Sequence, residues 1–113
     1  MAIYSNLTVD QGSNFQADID VTDTEGDALD LNGYTVAGQI RKSYNSTTAI
    51  DFVGSVQNAT GGVVRITLTS IATNAMKAGR YVYDVEITKS ATAEVTRIVE
   101  GQLEVRPGVT RAS

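Results

Sequence analysis

Carboxylates are the side chains of this 113-residue sequence with the clearest capacity for chemistry, and VTDTEGDALDLN sets them around a glycine as calcium loops do. An EF-hand loop needs an acidic first ligand, its turn glycine at the sixth position and a bidentate acid at the twelfth. Aligning Gly26 with that glycine puts Val21 first and Asn32 last, so the register fails. An irregular calcium site drawn from Asp23, Glu25 and Asp27 is the remaining way for residues 20–30 to hold a cation. A solvated hairpin tip explains the same residues more simply. Asp18 and Asp20 share one strand face and suggest a general acid and base, a pair that needs carboxyls ~5–10 Å apart in a cleft. Acids alternating with Ala17 and Ile19 also guard a sheet edge against unwanted pairing, and the sequence favours that reading.

Missing residue types narrow the chemistry further. The chain has no Cys and no His, hence no thiolate or imidazole for zinc, no nucleophilic thiol and no imidazole to activate a serine. Gly61 and Gly62 precede a strand, and no Gly-rich run leads into Lys-Ser or Lys-Thr, so a phosphate loop has no support. Arg41, Lys42, Arg65, Lys77 and Arg80 are scattered without aromatic interleaving, and a formal net charge of −4 opposes attraction to nucleic acid or anionic membranes. We therefore expect no enzyme, no metal, no cofactor, no nucleic-acid partner and no membrane partner. The N-terminus MAIYSNLTV lacks a basic n-region and a long apolar run, and no stretch nears the ~20 apolar residues of a membrane span; neither export nor insertion is expected. Sequons at Asn6, Asn45 and Asn58 are chance matches in a chain rich in Asn, Ser and Thr. The charge is one-sided: Asp10, Asp18, Asp20, Asp23, Glu25, Asp27 and Asp30 precede the first cation, Arg41.

The elements that must carry these residues are strands. Alternation with period two puts successive side chains on opposite sheet faces. It places Phe15, Ala17, Ile19 and Val21 on one face, then Val36, Gly38 and Ile40, then Ile50, Phe52, Gly54 and Val56. Val64, Ile66 and Leu68 follow, and Tyr81, Tyr83, Val85 and Ile87 form the clearest core strand. The last strand, VTRIVEGQLEVRP, has mixed phase, with Gly101 expected to mark a bulge that lets it change sheets. SIATNAMKAG reads as the one short helix, capped by Ser70, ended by Gly79, with Ile71, Ala75 and Met76 inward. With an initial strand over Ile3 to Val9 this gives about seven strands in one domain, residues 1–107, followed by a loose tail, 108–113.

Such a pattern predicts an all-β, Ig-like antiparallel β-sandwich with one short helical crossover, a closed barrel being the main alternative. AGRYVYDV adds a corner: Gly79 turns the chain, the Tyr81 hydroxyl bonds back to the preceding turn, and Tyr83 packs against the opposite sheet where antibody-type domains carry a cysteine.

In their order, QGSNFQADIDVTDTEG, DLNGYTVAGQIRKS, TGGVVRITLTSIATNAMKAGRYVYDVEI and EGQLEVRPGVTR resemble small Ig-like β-sandwich domains of tailed bacteriophages, nearest the N-terminal domains of upper-baseplate and tail-associated proteins. The resemblance spans nearly the whole chain. It implies a non-catalytic structural or assembly protein of the virion, in tail, baseplate or neck, contacting other virion proteins and forming homo-oligomers. Leu31, Gly33, Gly79, Tyr81 and Tyr83 match structural positions of that pattern, and Val64, Ile66 and Leu68 its core strand. The chain departs from it by ending without a helical or receptor-binding extension, which leaves capsid-associated roles open. Val53, Val63 and Val82, on expected outward faces, are the candidate contact surface. The alternative function is a stand-alone carbohydrate- or ligand-binding β-sandwich, for which Tyr4, Tyr34 and above all Tyr44, on the loop SYNSTT, are the candidate aromatics.

Overall fold

The computed structural model describes residues 3–108 except 24, 44 and 48. Two sheets pack face to face as a β-sandwich. The larger holds β1 (Ile3–Tyr4), β2 (Leu7–Asp10), β4 (Tyr34–Arg41), β5 (Ile50–Asp51), β8 (Gly79–Lys89) and β9 (Glu94–Arg106) in the order β1-β9-β8-β4-β5, with β2 also on β9. The smaller holds β3 (Phe15–Asp20), β7 (Val63–Leu68) and β6 (Val53–Asn58), in the order β3-β7-β6. One helix, α1 (Ser70–Ala75), crosses from β7 to β8.

Among the described residues nine strands appear where about seven were expected, because two expected strands are each split. The first breaks at Ser5 and Asn6, where the chain steps across Gly101; a Cβ on Gly101 would fall 2.1 Å from the Ser5 carbonyl oxygen. The second breaks at Phe52. There the chain leaves β4, with the Phe52 amide donating to the Gly38 carbonyl at 3.0 Å, and continues as β6 on the other sheet. Gly38 and Gly54 flank this switch because a side chain at either would strike Phe52 or Val36 within 3 Å.

Gly101 therefore has a role different from the expected one. β9 stays in one sheet throughout, and its change of phase comes at Ile98: Val85 pairs with Val99 while Glu86 pairs with Arg97, leaving Ile98 as the extra residue of a bulge. Both Ile98 and Val99 are consequently buried.

The alternating residues meet between the sheets, where Ile40, Val64, Ile66, Val85, Ile87 and Leu103 are each at most 1% exposed. Phe52 centres this layer, its ring 6.2 Å from Phe15 and edge-on to Tyr83 at 6.1 Å. The helix differs from expectation. Its N-cap is Thr69, whose hydroxyl accepts from the Ala72 amide. It ends at Ala75, with Gly79 opening β8; Ile71 is 82% exposed and Ala75 faces out, whereas Met76 points inward as expected and Thr73 joins it. With barely two turns, the helix is oriented by the polar anchors of Thr73 more than by an apolar stripe.

β9 runs through Arg106, and Gly108, expected in the loose tail, donates its amide to Gln11 Oε1 at 3.3 Å. Residues 109–113 of that expected tail lie outside the described residues. No helix among the described residues is long and apolar enough to cross a membrane.

Candidate functional site

The corner residues sit where α1 returns the chain to the large sheet. Tyr81 is 9% exposed and its hydroxyl donates to the Lys77 carbonyl at 2.8 Å, which ties the start of β8 to the turn before it. Lys42 lies over the Tyr81 ring at 4.8 Å. Tyr83 is buried beside Phe52, and its hydroxyl donates to the Ser5 carbonyl at 2.6 Å, fastening the N-terminal edge strand. Burial raises the Tyr83 phenol above its ordinary pKa, so it remains a donor. Gly79 has φ of +141°, a region open to glycine, and a Cβ there would meet Lys42 Nζ at 3.1 Å. Gly79→Val is expected to cost about 1–3 kcal/mol. A denaturant midpoint equal to wild type would show that the corner tolerates a side chain.

The proposed contact valines do not converge. Val53, 63% exposed, and Val63 lie at opposite ends of the small sheet's outer face: Val53 pairs with Thr67 while Val63 pairs with Asn58. Val82 lies on the outer face of the large sheet, opposite Arg41 and Gln102. Tyr44 lies outside the described residues. Tyr34 is half-buried against the core, and Tyr4, 63% exposed, is the aromatic most open to a ligand among the described residues.

The acidic loop is built as a turn. One Asp23 carboxylate oxygen accepts from the amides of Glu25 at 2.9 Å and Asp27 at 3.1 Å, while the Asp23 amide donates to the Asp27 carbonyl. Thr22 and Ala28 close it with an isolated bridge. Asp30 similarly accepts from the amide and side chain of Asn32. Asp23 thus folds the loop with one of its carboxylate oxygens, and no group of three or more His, Cys, Asp or Glu residues able to hold a metal occurs among the described residues.

Asp18 and Asp20 lie on β3, an edge strand of the small sheet. Asp18 forms a two-pronged pair with Arg65, its register partner on β7, at 2.7 and 3.2 Å. Hydrogen bonding to Arg65 holds its carboxyl below the ordinary aspartate pKa. A lowered folded-state pKa contributes stability that is present above the unfolded-state pKa and lost as pH falls through the folded one. Wild type and Asp18→Asn should therefore differ in urea midpoint near neutrality and converge in acid. A gap of constant size across pH would assign the effect to something other than this carboxylate.

Pairing brings together a set of residues that alternation alone could not assemble. Tyr4, Glu100, Asp84, Gln39 and Asp51 are successive register partners across β1, β9, β8, β4 and β5, so they form one transverse row on the outer face of the large sheet. Strands lie ~4.8 Å apart, which makes the row roughly 19 Å long. A recess of about 300 Å³ lies over its middle, at Glu100, Asp84 and Gln39, and is bounded by Arg41, Val82, Glu86 and Arg97 as well. The charges are largely satisfied within the face. Arg97 approaches Asp84 at 3.3 Å and Glu100 at 3.9 Å. Gln39 donates to Asp51 at 3.0 Å, and Arg41 donates to Gln39 and to the Ser46 carbonyl. Asp84 and Glu86 alternate with the core residues Tyr83, Val85 and Ile87, which alone places them outward; their neighbours depend on strand pairing, for which the sequence carries no local signal.

No family model and no curated protein matches the sequence. Among solved structures the chain is similar to InlP of Listeria monocytogenes, at 17% identity and a TM-score of 0.48, over 93% of this chain and 28% of that one. It is also similar to a family 123 glycoside hydrolase from Clostridium perfringens, described for glycolipid glycan hydrolysis, at 14% identity and a TM-score of 0.43, over 96% of this chain and 24% of that one. The chain spans about a quarter of the length of each.

Proposed function

We propose that this domain is a non-catalytic structural or assembly component of a tailed-phage virion, in tail, baseplate or neck, and that it works through protein–protein contacts with other virion proteins and with its own copies. The observation that carries the contact role is the broad outer face of the large sheet. Arg97 pairs with Asp84 and Glu100, and Arg41 with the Gln39 amide, along a shallow recess that Val82 also lines, instead of converging on a reacting atom. A face of that kind matches the mixed polar and apolar make-up of protein interfaces. The free edge of β3, guarded by Asp18 and Asp20, is the sort of boundary that sheet proteins protect in isolation and use selectively in assembly. The virion setting rests on the resemblance that the order of sequence motifs bears to phage sandwich domains. The test is absolute mass by light scattering over a wide concentration series: a discrete oligomer supports the building-block reading, and a strict monomer weakens its homo-oligomeric part.

A second reading has one observation in its favour. Tyr4 stands exposed at the end of the transverse row, beside the Glu100 carboxylate, an arrangement suited to stacking a sugar ring and accepting from its hydroxyls. A glycan-array signal abolished by Tyr4→Ala would favour a carbohydrate-binding module, and a blank array on wild-type protein would dismiss it.

A further inference from the structure

The one-sided charge of the sequence becomes an end-to-end asymmetry in the fold. β9 has 13 residues, and at ~3.3 Å per residue it runs the length of a molecule whose long dimension is 44 Å. At the end where β3 and β8 finish and β4 and β9 begin lie Asp20, Asp23, Glu25, Asp27, Asp30 and Glu94, with Lys89 as the cation among them. The opposite end gathers α1, the Gln11–Asn14 turn and the close of β4 and β9, held together by Gln11 on the Met76 carbonyl and Asn14 on the Ser70 amide. Lys42, Lys77, Arg80 and Arg106 lie there, with Asp10 and Glu104 as their acidic neighbours across the strands. Each end also presents an exposed apolar side chain, Ile71 at 82% on the basic end and Val95 at 55% on the acidic one.

We infer that copies of this chain associate head to tail, the acidic end of one against the basic, Ile71-bearing end of the next. The inference rests on the assembly reading above and names the partner as a second copy. Opposite charges so far apart do not neutralise one another within a molecule, since the Debye length at physiological salt is ~8 Å. Across a contact between copies they lie within that length and attract. A contact between unlike ends is heterologous, so it propagates into a stack or closes into a ring. The end measures about 28 × 22 Å, which gives an interface of roughly 1,000 Å² in total, at the small end of specific contacts. Association is therefore weak in dilute solution and strengthens where copies are concentrated.

The test is sedimentation and light scattering of the full chain up to about 1 mM protein, in low salt and again in about 1 M salt, where the Debye length is ~3 Å. Two charge reversals accompany it, Glu25→Lys with Asp27→Lys at one end and Lys77→Glu with Arg106→Glu at the other, each checked for native circular dichroism. Wild-type mass should rise with concentration in low salt and return to monomer in high salt. Each reversed variant should remain monomeric alone, and an equimolar mixture of the two should regain mass. Monomer throughout, mixture included, overturns the head-to-tail contact while leaving contacts with other virion proteins standing. A wild-type oligomer that both reversals leave intact also overturns it and places assembly on another face.

Discussion

Gly101→Ala should lower stability by about 2–4 kcal/mol, more than most single-methyl additions, because the added carbon collides with main chain. Its nearest neighbour would be the Ser5 carbonyl oxygen at 2.1 Å, with the Ser5 carbonyl carbon at 2.8 Å. That carbonyl cannot yield cheaply. It accepts the Tyr83 hydroxyl at 2.6 Å, and the Ser5 amide donates to the Glu100 carbonyl at 2.9 Å. The side chain of the adjacent Asn6 accepts from the Gln102 amide. Moving Ser5 aside gives up these bonds and leaves the buried Tyr83 hydroxyl unsatisfied. Hydrogen exchange should show the Ser5 amide losing protection before the core of β8 does. A variant with wild-type stability and a protected Ser5 amide would mean that the crossing over Gly101 is looser than its geometry indicates.

Thr73→Val should cost a similar amount, about 2–4 kcal/mol, although it preserves shape. Thr73 is fully buried; its hydroxyl donates to the Ser13 carbonyl at 2.8 Å and accepts from the Gly12 amide at 3.1 Å. One oxygen thereby ties α1 to the turn between β2 and β3. Valine fills the space but removes the bonds that hold α1 to the turn: the half-buried Gly12 amide loses its acceptor and the carbonyl of the exposed Ser13 must turn to water, which together outweigh the gain from an added methyl. Thr73→Ser keeps the hydroxyl and should retain most of the stability. If the valine variant loses no more than about 0.5 kcal/mol, the ordinary range for surface changes, the anchor is dispensable.

Thr73 also marks where sequence reasoning stops. The strands were legible because Val64, Ile66 and Leu68, or Tyr81, Tyr83, Val85 and Ile87, alternate cleanly with residues that face out, and alternation is a local property. A helix of six residues offers no comparable period, so Ile71 and Ala75 were expected inward on hydrophobicity alone. The structure resolves the matter through a hydroxyl whose partners are some sixty residues away. Phe52 was recognised as an inward residue, whereas its change of sheet follows from the close fit of Gly38 and Gly54, which becomes apparent when both strands are in place. The transverse row from Tyr4 to Asp51 was hidden for the same reason: five residues from five strands become neighbours through register. The acidic loop was different. Its failed calcium register already pointed to a turn, and Asp23 closes that turn on the amides of Glu25 and Asp27.

The parallel pairing of β2 with β9 has a mechanical consequence. Leu7 to Asp10 run beside Leu103 to Arg106 in the same direction, so opposed tension applied through the two ends of the chain slides one strand along the other. The bonds of that ladder are loaded together in shear instead of being peeled in succession. Resistance to forced extension is governed by the rate of unfolding, and here rupture requires the β2–β9 ladder to fail as a unit. A domain strung between neighbours in a loaded assembly would hold its length until that step and then release it abruptly.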